Sequence, residues 1–289
     1  MEISGWDVAA VFAKAATYAA TFGAAGAVFF VLYCGTLLRD PQRALIRRLV
    51  GILVGAAAAA SVLRIMLLAG SMSGDVAGMF NTTFAGMILR AGEGWAGGVR
   101  IIGLALVLFA LSKNPIYRGP AAVGAMLAST SFAWVGHVHA LMPNTVPSLL
   151  LGLHLLCVTF WLGALPPLWI IARDAHQPQM AAAAARFGKL ALRVVALLLA
   201  AGASLLLLLI GSAAEFWASD YGRMMAIKLL AVAALLSLAA WNKLALTPKL
   251  LQGDAAAMIK FRRSLQAEMS VGALILLTTA AFTTVTGPP

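Results

Sequence analysis

Apolar residues run along this chain in long stretches separated by short polar breaks. Eight stretches are candidate membrane crossings, at about 9–38, 46–70, 95–112, 119–142, 146–172, 190–214, 224–246 and 268–286. A hydrocarbon core roughly 30 Å thick takes about 20 residues of helix, so several stretches are longer than needed and are expected to tilt or to extend beyond the bilayer. The breaks carry turn and helix-ending residues: Arg39-Asp40-Pro41, Lys113-Asn114-Pro115, Arg173-Asp174 with Pro178, and Thr247-Pro248-Lys249. The pattern predicts an all-α polytopic membrane protein, an eight-helix transmembrane bundle forming a single domain over 1–289. The segment 71–94 is too polar and glycine-rich to cross. It is expected to be an outer loop or re-entrant half-helix carrying Met72, Met79 and Met87.

Composition removes the soluble alternatives. The 289 residues are 62% hydrophobic and 11% charged, with a mean hydropathy of +0.93. That is too little charge to cover a water-facing surface. No cleavable signal peptide is evident, since the amino terminus carries Glu2 and Asp7 rather than a basic region. Cys34 and Cys157 both lie inside apolar segments and are not expected to form a structural disulfide.

The net charge of +11 is a topology signal. Fifteen of the 21 basic residues lie in or beside every second connection, counted from the first: Arg39 to Arg48, Lys113 and Arg118, Arg173 to Arg193, and Lys243 to Arg263. The opposite face carries Glu2, Asp7, Asp75, Glu93, Glu215 and Asp220 with few bases. The positive-inside bias puts the basic loops in the cytoplasm and both termini on the outer side. The same distribution argues against nucleic acid as a partner; the bilayer is the partner.

The candidate chemistry sits at the outer end. His137, His139 and Met142 close the fourth stretch, and His154 lies about two turns into the fifth. The short connector at Leu141–Thr145 folds the two helices back on each other, so imidazoles at matched depth can meet. Ionisable groups inside a membrane are costly without a partner or a task, and histidine is a common neutral metal ligand. His137 and His139, two apart, point to different sides of a regular helix, so both enter one site only if the helix unwinds before Pro143. His154 and Cys157, at i and i+3, share a helix face. Imidazole, thiolate and the thioethers of Met72, Met79 and Met142 suit a soft or borderline metal, Cu(I) above all. The bland reading of each is packing: buried cysteine and methionine are ordinary core residues. Paired histidines on neighbouring helices also suit bis-histidine haem ligation, the alternative reading.

Four charges fall within the stretches: Arg64, Arg100, Lys228 and Glu268. The first three lie in the outer half, with Asp75, Glu93, Glu215 or Asp220 as candidate partners, and otherwise line an outer vestibule. Glu268 lies nearer the cytoplasm, in reach of Asn242 or Lys189, or serves as a proton site. No nucleophile motif, phosphate loop or zinc-protease helix is present; Gly94-Trp-Ala-Gly-Gly98 lacks the Lys-Ser/Thr that a phosphate loop needs. Enzymatic activity is not expected.

The later half of the chain resembles a known family. Tyr221-Gly-Arg-Met-Met-Ala-Ile-Lys228 leads to Trp241-Asn242-Lys243 and Thr247-Pro248, then to Phe261-Arg-Arg-Ser-Leu-Gln-Ala-Glu268 and an apolar helix ending Gly287-Pro288-Pro289. Leu153-His154-Leu-Leu-Cys-Val-Thr-Phe-Trp161-Leu-Gly163, Arg186-Phe187-Gly-Lys and Gly136-His137 complete the series. This series resembles the copper-resistance protein D family of bacterial inner-membrane proteins. It covers about 130–289 well, and the first 130 residues match in topology alone. The resemblance implies copper handling at the inner membrane, with transport from periplasm toward cytoplasm. It also implies a periplasmic copper chaperone of the protein C type as partner.

Overall fold

A computed structural model of the chain describes residues 4–135, 145–174, 177–210 and 213–285. Among these residues the regular structure is entirely helical. The long helices are α1 (Gly5–Cys34), α2 (Asp40–Ser73), α4 (Gly92–Val107), α5 (Arg118–Thr130), α6 (Thr145–Arg173), α7 (Gln177–Leu209), α9 (Asp220–Trp241) and α11 (Ala255–Val285); shorter pieces are α3 (Thr82–Arg90), α8 (Ala213–Ala218) and α10 (Thr247–Leu251).

Among the described residues, seven segments are long and apolar enough to cross a membrane: Gly5–Leu37, Asp40–Ser73, Gly92–Leu111, Thr145–Arg173, Gln177–Leu208, Asp220–Leu251 and Ala255–Val285. The expected fourth crossing, 119–142, begins as α5 and a 3-10 turn over Ser131–Trp134. The remainder of that stretch lies outside the described residues. The chain is thus an all-α, multi-pass membrane protein.

Several helices start earlier than the apolar stretches. α7 begins at Gln177 rather than about 190, and α11 at Ala255 rather than about 268. The apolar run marks where a helix meets hydrocarbon, not where its backbone bonding begins. Charged turns holding Arg186, Lys189, Lys260 and Arg262 extend these helices, and the Asp254 side chain caps α11 by accepting from the Ala256 and Ala257 amides at 2.8 and 3.2 Å.

Exposed side chains on the bundle's flanks are large and apolar, Leu207 and Leu230 among them. This is the outward face a lipid solvent permits. The interior is built from small residues. α1 is the most buried crossing and packs against α2, α5, α6 and α11, with Ala24, Ala25 and Ala27 fully buried. Two glycine pairs weld neighbours backbone to backbone. A Cβ on Gly26 of α1 would stand 2.5 Å from Gly163 Cα of α6, and one on Gly103 of α4 would stand 2.8 Å from the Gly124 carbonyl oxygen of α5. Without a hydrophobic drive between helices in lipid, such close approach supplies the dispersion contact that holds them.

At the basic end, the connection after α1 is tied to the connection after α6. Buried Gln42 donates to Asp174 Oδ2 at 2.8 Å, and Gln179 donates to the Leu37 carbonyl at 2.6 Å. The segment after α2 does not dive back among the helices. It forms a 3-10 turn over Ala77–Phe80 and the short α3, and Met79 packs over Gly70 beside Trp6. Asn81 caps α3 by accepting from the Thr83 and Phe84 amides.

The chain between α9 and α10 was not foreseen. Residues Asn242–Leu246 form a π-helical turn. Pro248 brings no amide hydrogen to this stretch, so the bonding register widens. The Thr247 hydroxyl then donates to the Asn242 carbonyl at 2.8 Å.

Candidate functional site

The ends of α2, α5, α7 and α11 meet the starts of α1, α4, α6 and α9 around a cavity of about 430 Å³. This sharing follows from alternating helix direction: each polar residue on the wall lies near the start of one helix or the end of the next. α1 supplies Lys14 and Tyr18; α2, Arg64; α4, Glu93 and Arg100; and the turn after α5, Phe132. Across from them stand His154 and Trp161 of α6, Gly202 of α7, Tyr221, Met225 and Lys228 of α9, and Phe282 and Thr283 of α11. The remaining wall is mostly leucine, valine and isoleucine.

Each charge on the wall has a definable environment. Arg64 forms a half-buried ion pair with Glu93, one of its expected partners. Arg100 makes no ion pair with a carboxylate among the described residues and lines the cavity, the second of the two readings given for it. It is buried, donates Nε to the Ser131 hydroxyl at 3.1 Å and lies 3.8 Å above the Phe132 ring. Lys228 likewise makes no ion pair among the described residues and sits 5.4 Å from the Phe282 ring centre. Asp220, a candidate partner for it, instead pairs with Arg223 at 3.2 Å. Lys14 donates to the Thr283 carbonyl at 3.0 Å.

His154 is the one expected metal ligand placed on this wall among the described residues. Its ring lies beside Gly202, where a Cβ would come within 3.2 Å, and its Nδ1 is buried with no hydrogen-bond partner among the described residues. A buried imidazole nitrogen of this kind can take a metal ion or a proton partner. Met225, 8% exposed, is the nearest thing to a soft companion, sharing the same cavity.

The other candidates are dispersed. Cys157 shares a helix face with His154 by spacing, yet it packs in the main apolar core and is off the cavity wall. The wall runs through Leu155, Val158, Trp161 and Leu162 instead. Met72 is exposed at the end of α2, and Met79 covers Gly70; neither reaches the cavity. Cys34, at the far end of α1, is fully buried in the core. His137, His139 and Met142 lie outside the described residues, as does the Glu215 side chain. Among the described residues no three His, Cys, Asp or Glu side chains converge on a common point. A copper ion held here by His154 and Met225 would need further donors.

Lys14, a lysine inside the first apolar stretch, is a wall residue that the sequence reading did not single out. Glu268, at the opposite end, bonds to Asn242, as expected from their positions; both are buried. The neighbouring Asn242 Oδ1 and Ser264 Oγ are unpartnered.

Comparison with known proteins speaks to both halves of the chain. The family model described as copper resistance protein D matches residues 181–282, and that described as copper resistance protein D-like, N-terminal domain, matches residues 5–143. The second match corrects the expectation that the first 130 residues share topology alone. The chain is 27% identical over 281 residues to the copper transport protein CutJ of Bacillus subtilis (strain 168). That alignment covers 91% of this chain and 50% of the relative, so the chain spans about half the length of the relative it matches. No solved structure matches the chain significantly. The descriptions name copper and not haem. With its two halves matched by two models of one family, the chain belongs to the copper resistance protein D family.

Proposed function

We propose that this protein is an inner-membrane copper handler that carries copper from the periplasm toward the cytoplasm, with His154 as a ligand on the path. The observation that carries the reading is His154, whose Nδ1 has no hydrogen-bond partner among the described residues and whose side chain lines a membrane-embedded cavity together with Met225, in a chain of this family. Imidazole and thioether together suit Cu(I) better than a hard cation. His137, His139 and Met142 follow α5 in the chain and precede α6; they are the proposed source of further donors.

The orientation belongs to the same proposal. Eight crossings with both termini outward put the cavity on the periplasmic side, and the basic connections on the cytoplasmic side. The alternating helix ends around the cavity support that count. A periplasmic chaperone of the protein C type is the proposed donor of copper. No catalytic step is assigned, and copper is cargo rather than cofactor.

The test is metal analysis with an absorption spectrum of the purified chain, beside His154→Ala. About one copper per chain, lost in the variant, is the expected result for a site built on His154. Copper uptake into vesicles that survives His154→Ala combined with His137→Ala would sink the transport reading. A Soret band lost in the variant would turn it to haem.

A further inference from the structure

The cavity's charge does not suit a bare metal cation. Lys14, Arg64, Arg100 and Lys228 line it against a single carboxylate, Glu93, which Arg64 already holds. The other three cations meet neutral partners: a carbonyl for Lys14, a hydroxyl and an aromatic face for Arg100, and an aromatic face for Lys228. The positive charges also act on one another. Arg64 repels both Lys14 and Arg100 while Glu93 attracts them, and Lys228 repels a charged His154.

Three cations without an ion-pair partner among the described residues are costly inside a bilayer unless something neutralises them. A lysine can shed its proton, but a guanidinium does not, so Arg100 keeps its charge at any working pH. An aromatic face attracts a cation without balancing its charge. The remaining wall is apolar, and a volume of about 430 Å³ falls within the small-ligand range of roughly 300–1,000 Å³. The wall's leucines come from α6, α7, α9 and α11.

We propose that this cavity binds an amphipathic anion: a carboxylate or phosphate head seated on Arg100, Lys14 and Lys228, with its apolar body along the leucine wall. Two sources share that chemistry, the head group of an anionic bilayer lipid and an amphipathic carboxylate that carries copper in complexed form. The site stands apart from the copper reading, because it is tested in copper-free protein.

The probe is sodium laurate, titrated into the copper-free full chain in neutral detergent, with binding followed as a concentration-dependent rise in thermal midpoint. Arg100→Met and Lys228→Met are expected to weaken laurate by about tenfold each, the loss of one charge-assisted hydrogen bond. Arg100→Lys and Lys228→Arg are expected to restore most of it, which separates charge loss from misfolding. Lys249→Met, on the exposed basic connection, is expected to leave binding unchanged. Displacement of laurate by phosphatidylglycerol but not phosphatidylcholine identifies the lipid source; tighter laurate binding when Cu(I) is added identifies the copper complex. An unchanged laurate affinity in both methionine variants, or no laurate binding at all, overturns the proposal.

Discussion

The α1–α6 seam offers a sharp test of how this bundle is held. Gly163→Ala adds a single methyl group, and that methyl would stand 2.3 Å from the Phe22 carbonyl oxygen and 2.5 Å from Gly26 Cα. Ordinary contact begins near 3.4 Å, so the methyl is about 1 Å too close to two backbone atoms. Backbone cannot rotate away as a side-chain tip can. The helices must separate, and the neighbouring contacts of Ala24, Ala25 and Ala27 loosen with them. Overpacking of this kind costs typically about 1–3 kcal/mol; with backbone on both sides, the upper end is expected. The opposing helix-propensity gain of alanine over glycine is about 1 kcal/mol, so the net expectation is a loss of about 1–2 kcal/mol. Tyr18 and Phe22 pack with Leu155 and Val158 at this seam and all four line the cavity, so ligand affinity is expected to fall alongside stability. The assay is thermal unfolding in detergent, with Gly55→Ala as control, since a Cβ there meets nothing within 4 Å. The reasoning fails if Gly163→Ala is as stable as Gly55→Ala.

Two buried pairs give further predictions. Glu93→Gln removes the charge that holds Arg64 and should destabilise the chain by about 1–3 kcal/mol; a double-mutant cycle with Arg64→Met that returns no coupling energy would refute the pairing. Asn242→Leu leaves the buried Glu268 carboxyl without its bond and should cost about 1–3 kcal/mol, whereas Glu268→Gln, which keeps an amide oxygen or nitrogen at the contact, should cost less. Equal melting temperatures for these two variants would count against the bond as a stabilising contact.

The candidate site was partly legible in the chain. Arg64 had Glu93 among its named partners, and Glu268 had Asn242, because each pair falls at the same depth when helices alternate. Arg100 and Lys228 had two readings, pairing with a carboxylate or lining a vestibule; among the described residues they meet no carboxylate and line the cavity. Depth limits the candidates, but helix rotation decides which meet, and Asp220 faces Arg223 on its own helix. Cys157 shows the same limit. Spacing set it on the His154 face, but that face is wide enough for one edge to meet the cavity and the other the core.

What the sequence determined by itself is the solvent and the secondary structure. Long apolar runs can satisfy their backbone in lipid only as helices or closed barrels, and runs of this length are helices. The alternating basic connections carried the expected orientation, since that bias is local to each loop. The tertiary structure decided the rest. Glycine at 26 and 163 is unremarkable along the chain; that the two touch depends on how α1 rotates against α6. The cavity needed eight helix ends brought together, and its excess of positive charge emerges only when Lys14, Arg64, Arg100 and Lys228, spread over more than 200 residues, are summed on one wall. Periodicity along a single helix records which side is apolar. It does not record which polar side chains from other helices will share that side, because that is set by packing between backbones.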